Sequence, residues 1–189
     1  MYDEFFATKP EYRAVEAVIR IGSVKRWHML DTSQTQTLAA HSANVSLLAM
    51  VVAATAPGMF FGPSHVVAVA ALLHDIGEVF SGDIPTPTKR VESGAIGRKI
   101  DELESVLTPA VLTMYKPDER VAWLVKICDL ADGIRFIRMH GQGITAKHAL
   151  SGLQEQMIAK GMEAVDCGYP EEVVKHAIRM VHFYAYEGS

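Results

Sequence analysis

Charge is missing from a long stretch of this chain: from Thr32 to Leu73 there is no Asp, Glu, Lys or Arg. A membrane span needs about 20 apolar residues in a row. Here Pro57-Gly58 and Gly62-Pro63 cut the run, and its first part holds Ser, Gln, Asn and His41. The expectation is therefore two buried helices joined by a turn, in a chain with no membrane partner. Asp3 and Glu4 precede any apolar stretch, so the amino terminus does not read as a signal peptide. Cysteine is scarce too. Cys128 and Cys167 form no CxxC or other zinc-ligand spacing, which argues against a disulfide scaffold and a thiolate zinc site. A reducing cytoplasm is the simplest home. An excess of positive charge is also absent: 18 Lys and Arg against 22 Asp and Glu give a formal net charge of −4. No nucleic-acid partner is expected from that balance, although a local basic pocket for a small anion is compatible with it.

What is present is enough to fold. Apolar residues make up 49% of 189 residues and charged residues 21%, consistent with one packed domain over 1–189. The pattern is almost wholly helical. Thr8-Lys9-Pro10 opens a helix near Glu11 that stops at Gly22, and Gly22 to Gln36 reads as irregular. A second helix is predicted from Thr37 to Ala56, with Leu38, Val45, Leu48 and Val52 at helical spacing and His41 on the same stripe. A third runs from Ser64 to about Phe80. Asp83-Ile84-Pro85-Thr86-Pro87-Thr88 reads as a rigid loop, because two prolines disfavour helix. Further helices are expected over Val91–Leu107, after Pro109, over Asp118–Met139, near Thr145–Lys160 and over Pro170–Tyr186. The class is all-α, a bundle of about six to eight helices.

The uncharged run ends at His74-Asp75-Ile76-Gly77-Glu78. On a continuous helix His74 and Glu78 would share a face, with Asp75 projecting about 100° away. An unpaired carboxylate buried in an apolar segment costs several kcal/mol, and a divalent cation is one economical partner for it. His41, on the core stripe of the preceding helix, and Asp129, on the long later helix, supply further ligand chemistry. Asp132, three residues on, competes with Asp129 for that role. Two imidazoles and two carboxylates suit Mn, Fe, Co, Ni or Zn better than Ca. The other histidines (His28, His65, His140, His148, His176 and His182) lack partners at ligand spacing and read as surface or packing residues.

The order His41, His74-Asp75, Asp129 resembles the HD superfamily of metal-dependent phosphohydrolases, over about Gly22 to Met139. The wider set is more specific: Arg26-Trp27, His41, His74-Asp75, Glu78 and Gly82-Asp83-Ile84-Pro85-Thr86-Pro87-Thr88-Lys89. It resembles the bacterial 5′-deoxynucleotidases and their relatives, the phage dATP triphosphohydrolases. The resemblance implies an HD-domain helical bundle with metal ligands at His41, His74, Asp75 and Asp129, and it favours Asp129 over Asp132. Glu78 would act as general base or position the water. Asp83 would orient that water or protonate the leaving 5′-oxygen.

Arg26 and Lys89 would hold phosphate, and Trp27 would crowd the sugar 2′ position so that deoxyribose is favoured. Met29 and Pro87 would wall the base, and Asn44 is a candidate for a contact behind the ligands. Lys25, Arg90 and Arg98 are further cations expected near the phosphates, and Arg135 and Arg138 are ambiguous between a solvated face and phosphate contact. The implied cofactor is a divalent transition metal, Co, Mn, Zn or Fe, with room for additional Mg or Co beside the phosphates. The implied partner is a small-molecule deoxynucleotide, in a cytoplasmic homo-oligomer. The first function expected is removal of triphosphate from dATP. The alternative is hydrolysis of deoxynucleoside 5′-monophosphates, and a third reading is an inactive nucleotide-binding regulator.

Overall fold

In a computed structural model of the chain, residues 9–84, 86–89, 91–108, 110 and 117–187 are described. Among them, seven helices of nine residues or more, two single-turn α-helices and a short 3-10 turn at Pro57–Met59 account for the regular structure, and no strand forms. Helix α1 (Pro10–Arg20) starts with proline in its first turn, where the missing N–H has no partner to lose. Helix α2 (Leu38–Thr55) is capped by Thr37, whose hydroxyl accepts from Ala40 N at 3.2 Å. By length and composition α2 could cross a membrane. Here it packs chiefly on α3 (Ser64–Leu72) and on α7 (Glu119–His140), the long helix capped by Asp118. Between α3 and α7 come α4 (Glu78–Ser81), α5 (Thr86–Lys89) and α6 (Val91–Leu107). Helices α8 (Gly143–Asp166) and α9 (Glu171–Tyr186) close the bundle against α7.

The main core joins Val45, Ala49 and Val52 of α2, Val67 and Ala71 of α3, Leu124, Ile127 and Cys128 of α7, and Ala177 and Val181 of α9. A smaller core of Ala17, Leu38, Ile76 and Val79 packs α1 against the start of α2 and the segment after His74. The irregular stretch between α1 and α2 is pinned at both ends. Arg26 N donates to Gln36 O and Leu38 N to Val24 O, while Ser33 N reaches His140 O and Gln142 N reaches Asp31 O. These bonds lay Arg26 and Trp27 across α7.

Two local expectations are corrected. The third helix does not run to Phe80: it ends at Leu72, and Leu73 to Gly77 form a tightened turn in which Ile76 N bonds Leu73 O and Glu78 N bonds Asp75 O. His74 Nδ1 donates to Ala71 O at 2.7 Å. A continuing α-helix would give that carbonyl to the Asp75 N–H, so the imidazole competes with the helix for it. Glu78 consequently opens α4 and is not one helical turn beyond His74. The second correction is that Thr86–Lys89 is a helical turn, since a proline in the first turn removes no helical hydrogen bond. The short helix expected after Pro109 lies outside the described residues.

Candidate metal centre and substrate pocket

His41 comes from α2, His74 and Asp75 from the turn after α3, and Asp129 from α7. One ligand atom from each lies within 4.8 Å of all the others. His41 is completely buried, and its Nδ1 donates to Asp132 Oδ2 at 2.7 Å. Its Nε2 then faces Asp129 Oδ1 at 3.3 Å and Asp75 Oδ2 at 3.7 Å without a hydrogen bond. His74 is arranged alike: Nδ1 is spent on Ala71 O, and Nε2 is buried and unpartnered, 3.1 Å from Asp75 Oδ2. Each orphaned buried nitrogen costs about 1–3 kcal/mol. Two imidazole nitrogens and two carboxylates converging without a hydrogen bond to either nitrogen fit a divalent cation with mixed N/O ligands.

Cations of the chain itself balance the carboxylates. Arg26 Nη1 lies 2.8 Å from Asp75 Oδ2 and 3.9 Å from Glu78 Oε2, and Nη2 lies 3.7 Å from Asp129 Oδ1. Lys126 Nζ bonds Asp129 Oδ2 at 2.6 Å, and Lys89 Nζ bonds Glu78 Oε1 at 3.3 Å. Burial alone would raise the Asp75 and Asp129 carboxyls. His74 and Arg26 instead hold Asp75 well below the ordinary range, and Lys126 with the two histidines does the same for Asp129. Burial opposes charge on His74, but Asp75 beside it outweighs this and raises the imidazole to about 9. Glu78 goes the other way: burial, then the charge of Asp75, push its carboxyl up to about 8.

Asp132 is the anchor behind this centre. It is 2% exposed and accepts four hydrogen bonds, from His41, Gln36 Nε2 at 2.7 Å, Asn44 Nδ2 at 3.0 Å and the Tyr184 hydroxyl at 2.7 Å. Burial works to raise its carboxyl, but the bonds from His41, Tyr184 and Asn44 keep it below the usual carboxylate range. Two cavities open on the centre and share Asp75, Lys126 and Asp129. The smaller, about 220 Å³, is lined by Arg26, Trp27, Glu78, Asp83, Lys89 and Leu153 among others. The larger, about 630 Å³, runs past His74, Asp101, Glu104, Ser105 and Thr108.

A family model described as 5′-deoxynucleotidase YfbR-like matches residues 14–128. The chain belongs to the YfbR-like family of HD phosphohydrolases. It is 33% identical over 153 residues to a dATP triphosphohydrolase of cyanophage S-2L, an alignment covering 78% of this chain and 82% of that one. It is 33% identical to a dATP triphosphohydrolase of Salmonella phage PMBT28, over 74% of this chain and 73% of the relative. A 5′-deoxynucleotidase of Klebsiella pneumoniae is 30% identical over 53% of this chain and 50% of its own length. Among solved structures, the cyanophage S-2L HD phosphohydrolase DatZ, bound to dA and one catalytic Zn2+ ion, superposes with a TM-score of 0.79 at 26% identity. That match covers 91% of this chain and 96% of the other.

Within this YfbR-like chain, His41, His74, Asp75, Asp129, Glu78, Asp83, Arg26, Trp27 and Lys89 gather around one centre and its smaller cavity. Met29 does not join them: it is 70% exposed and lines neither cavity. Pro87 sits in α5, and its side chain lies outside the described residues. Lys25 and Arg98 are exposed and line neither cavity, and Arg90 lies outside the described residues. Arg135 and Arg138 donate to the carbonyls of Tyr184 and Ala185, closing the end of α9 rather than reaching the centre. Sequence reasoning missed Gln36, Lys126 and Tyr184 as neighbours of the centre. Lys126 alone left a local signal, since it precedes Asp129 by three residues on one helix.

Proposed function

We propose that this chain is a divalent-metal-dependent deoxynucleotide phosphohydrolase that converts dATP and water to deoxyadenosine and inorganic triphosphate. The observation that carries the reading is the pair of buried, unpartnered Nε2 atoms of His41 and His74 facing Asp75 and Asp129. Similarity to phage dATP triphosphohydrolases over three quarters of the chain supports the substrate. A cation held by His41, His74, Asp75 and Asp129 would acidify a bound water and offset charge on a phosphoryl oxygen. Zinc is the first choice, because the DatZ structure contains a catalytic Zn2+.

Glu78 takes the proton of the attacking water on its buried Oε2. Asp83 protonates the leaving 5′-oxygen or orients the water from the same cavity. Arg26, Lys89 and Lys126 hold the phosphates, and Arg26 gives up part of its contact with Asp75 to do so. Trp27 lies against the sugar and crowds a 2′-hydroxyl. The enzyme works in the cytosol as a homo-oligomer; a monomer by light scattering at micromolar concentration would remove the last element.

The second reading is hydrolysis of deoxynucleoside 5′-monophosphates, favoured by the family model over residues 14–128. Both reactions use the same water and ligands and differ in how much phosphate lies beyond the attacked phosphorus. Incubating the zinc-loaded protein separately with dATP and dAMP decides between them. Deoxyadenosine and triphosphate from dATP are expected. Orthophosphate from dAMP, with dATP untouched, overturns the triphosphate reading.

A further inference from the structure

Trp27 is held in a conformation that few large residues adopt. Its φ of 61° lies in the left-handed region, which costs a bulky side chain about 1–3 kcal/mol unless its surroundings fix it. Its N–H donates to Asp83 Oδ2 at 3.2 Å, its carbonyl accepts from Leu30 N at 2.8 Å, and the Arg26 guanidinium lies 5.5 Å from the ring centroid. The ring edge rests on Gly133 of α7, where an added Cβ would come 3.2 Å from Cζ2. None of these contacts engages the polar end of the indole. That task falls to Gln36, which is 5% exposed and accepts from Trp27 Nε1 at 2.7 Å.

The Gln36 amide has no freedom in the matter. Indole N–H can only donate and an ionised carboxylate can only accept, so Oε1 must face Trp27 and Nε2 must face Asp132. Asp132 also accepts from His41 Nδ1. One amide thus spans from the aromatic wall of the smaller cavity to the carboxylate behind a candidate metal ligand. No other described side chain bonds both Trp27 and Asp132.

We propose that Gln36 is the positioning residue for sugar selection: it fixes the plane of the Trp27 indole relative to the metal centre and thereby sets discrimination between deoxyribose and ribose. This rests on the reading that Trp27 faces the sugar of a hydrolysed nucleotide. Gln36 touches neither substrate nor cation and acts through Trp27. Its backbone carbonyl, which accepts from Arg26 N, is untouched by side-chain replacement. Methionine keeps the length and removes both polar contacts, leaving the indole N–H unpaired and the ring free to turn.

The test compares kcat/KM for dATP and ATP in the zinc-loaded wild type, Gln36→Met, Trp27→Ala and the double variant. Gln36→Met should lower the dATP/ATP ratio by about tenfold, the size of one lost hydrogen bond. The double variant should show the dATP/ATP ratio of Trp27→Ala alone, because for sugar selection a residue acting through Trp27 has nothing left to position. Trp27→Phe, which keeps the ring and deletes the donor, should reproduce Gln36→Met if that variant folds poorly. Equal losses toward dATP and ATP, or a further drop in the dATP/ATP ratio in the double variant, would assign Gln36 a merely structural role and overturn the inference. A wild type that discriminates while Gln36→Met discriminates equally overturns this inference alone. A wild type that takes dATP and ATP alike removes the selection assigned to it, and one that hydrolyses no deoxynucleotide overturns the functional reading as well.

Discussion

Glu78 and Asp75 are three residues apart and differently employed. Glu78 is buried with one oxygen lacking a partner, and its carboxyl is pushed up to about 8 by burial and by the charge of Asp75. A carboxylate with that proton affinity suits general-base work near neutrality. Glu78→Gln should therefore retain zinc and lose about 10²–10⁴ in kcat, whereas Asp75→Ala should lose zinc and turnover together. Calorimetric zinc titration beside a product assay separates the two; full activity in Glu78→Gln would end the water-activation role. Asp132 makes a different demand. It fixes the His41 ring through Nδ1, and partners behind metal ligands are worth 10–100-fold in affinity. Asp132→Asn should weaken zinc binding by about that factor in a chelator competition, and unchanged affinity would reduce Asp132 to a packing role.

At the scale of elements, the long helices were legible because their signals are local. Thr37 and Asp118 are side-chain caps, Pro57-Gly58 follows α2, and the polar helix expected over roughly Val91 to Leu107 coincides with α6. The break after Leu72 was not legible. Nothing in the apolar sequence Val67–Leu73 announces it; the His74 ring claiming the Ala71 carbonyl does, together with close approach to α6. Gln36 and Tyr184 escaped for a related reason, since their partner Asp132 is 96 and 52 residues away and no spacing rule spans that distance. The turn yields its own prediction. A Cβ on Gly77 would lie 2.8 Å from Glu104 Cβ, so Gly77→Ala must push the His74–Glu78 segment away from α6. Lower thermal stability and lost zinc affinity are expected. Gly152→Ala is the control: inside α8 with nothing within 4 Å, it should stabilise by about 0.5–1 kcal/mol. Equal melting temperatures for the two variants would refute the claimed crowding.

For the molecule as a whole, the uncharged run from Thr32 to Leu73 builds an apolar wall around a centre whose charges need one another. Without a cation, part of that balance falls to protons. His74 is raised to about 9 from an ordinary 6.5, chiefly by Asp75 acting against burial, so its contribution to folding is complete below about pH 6.5. It disappears as pH rises through about 9. Glu78, raised from 4.5 to about 8 by burial, has the same sign: the folded state holds that proton more tightly, and stability falls as pH climbs between those values. Asp75 and Asp129, both depressed, stabilise above the ordinary carboxylate range and fail only in acid. Metal-free protein should thus melt progressively earlier from about pH 6.5 to 9. Zinc needs the His74 Nε2 lone pair and displaces the proton, so its apparent affinity should rise over the same interval. At a hundredfold excess over Kd it adds about 2.7 kcal/mol, and more as Kd falls. The melting curves with and without zinc should therefore diverge as pH rises toward 9. Curves that stay parallel across that interval would mean that zinc and the His74 proton do not compete for the same nitrogen.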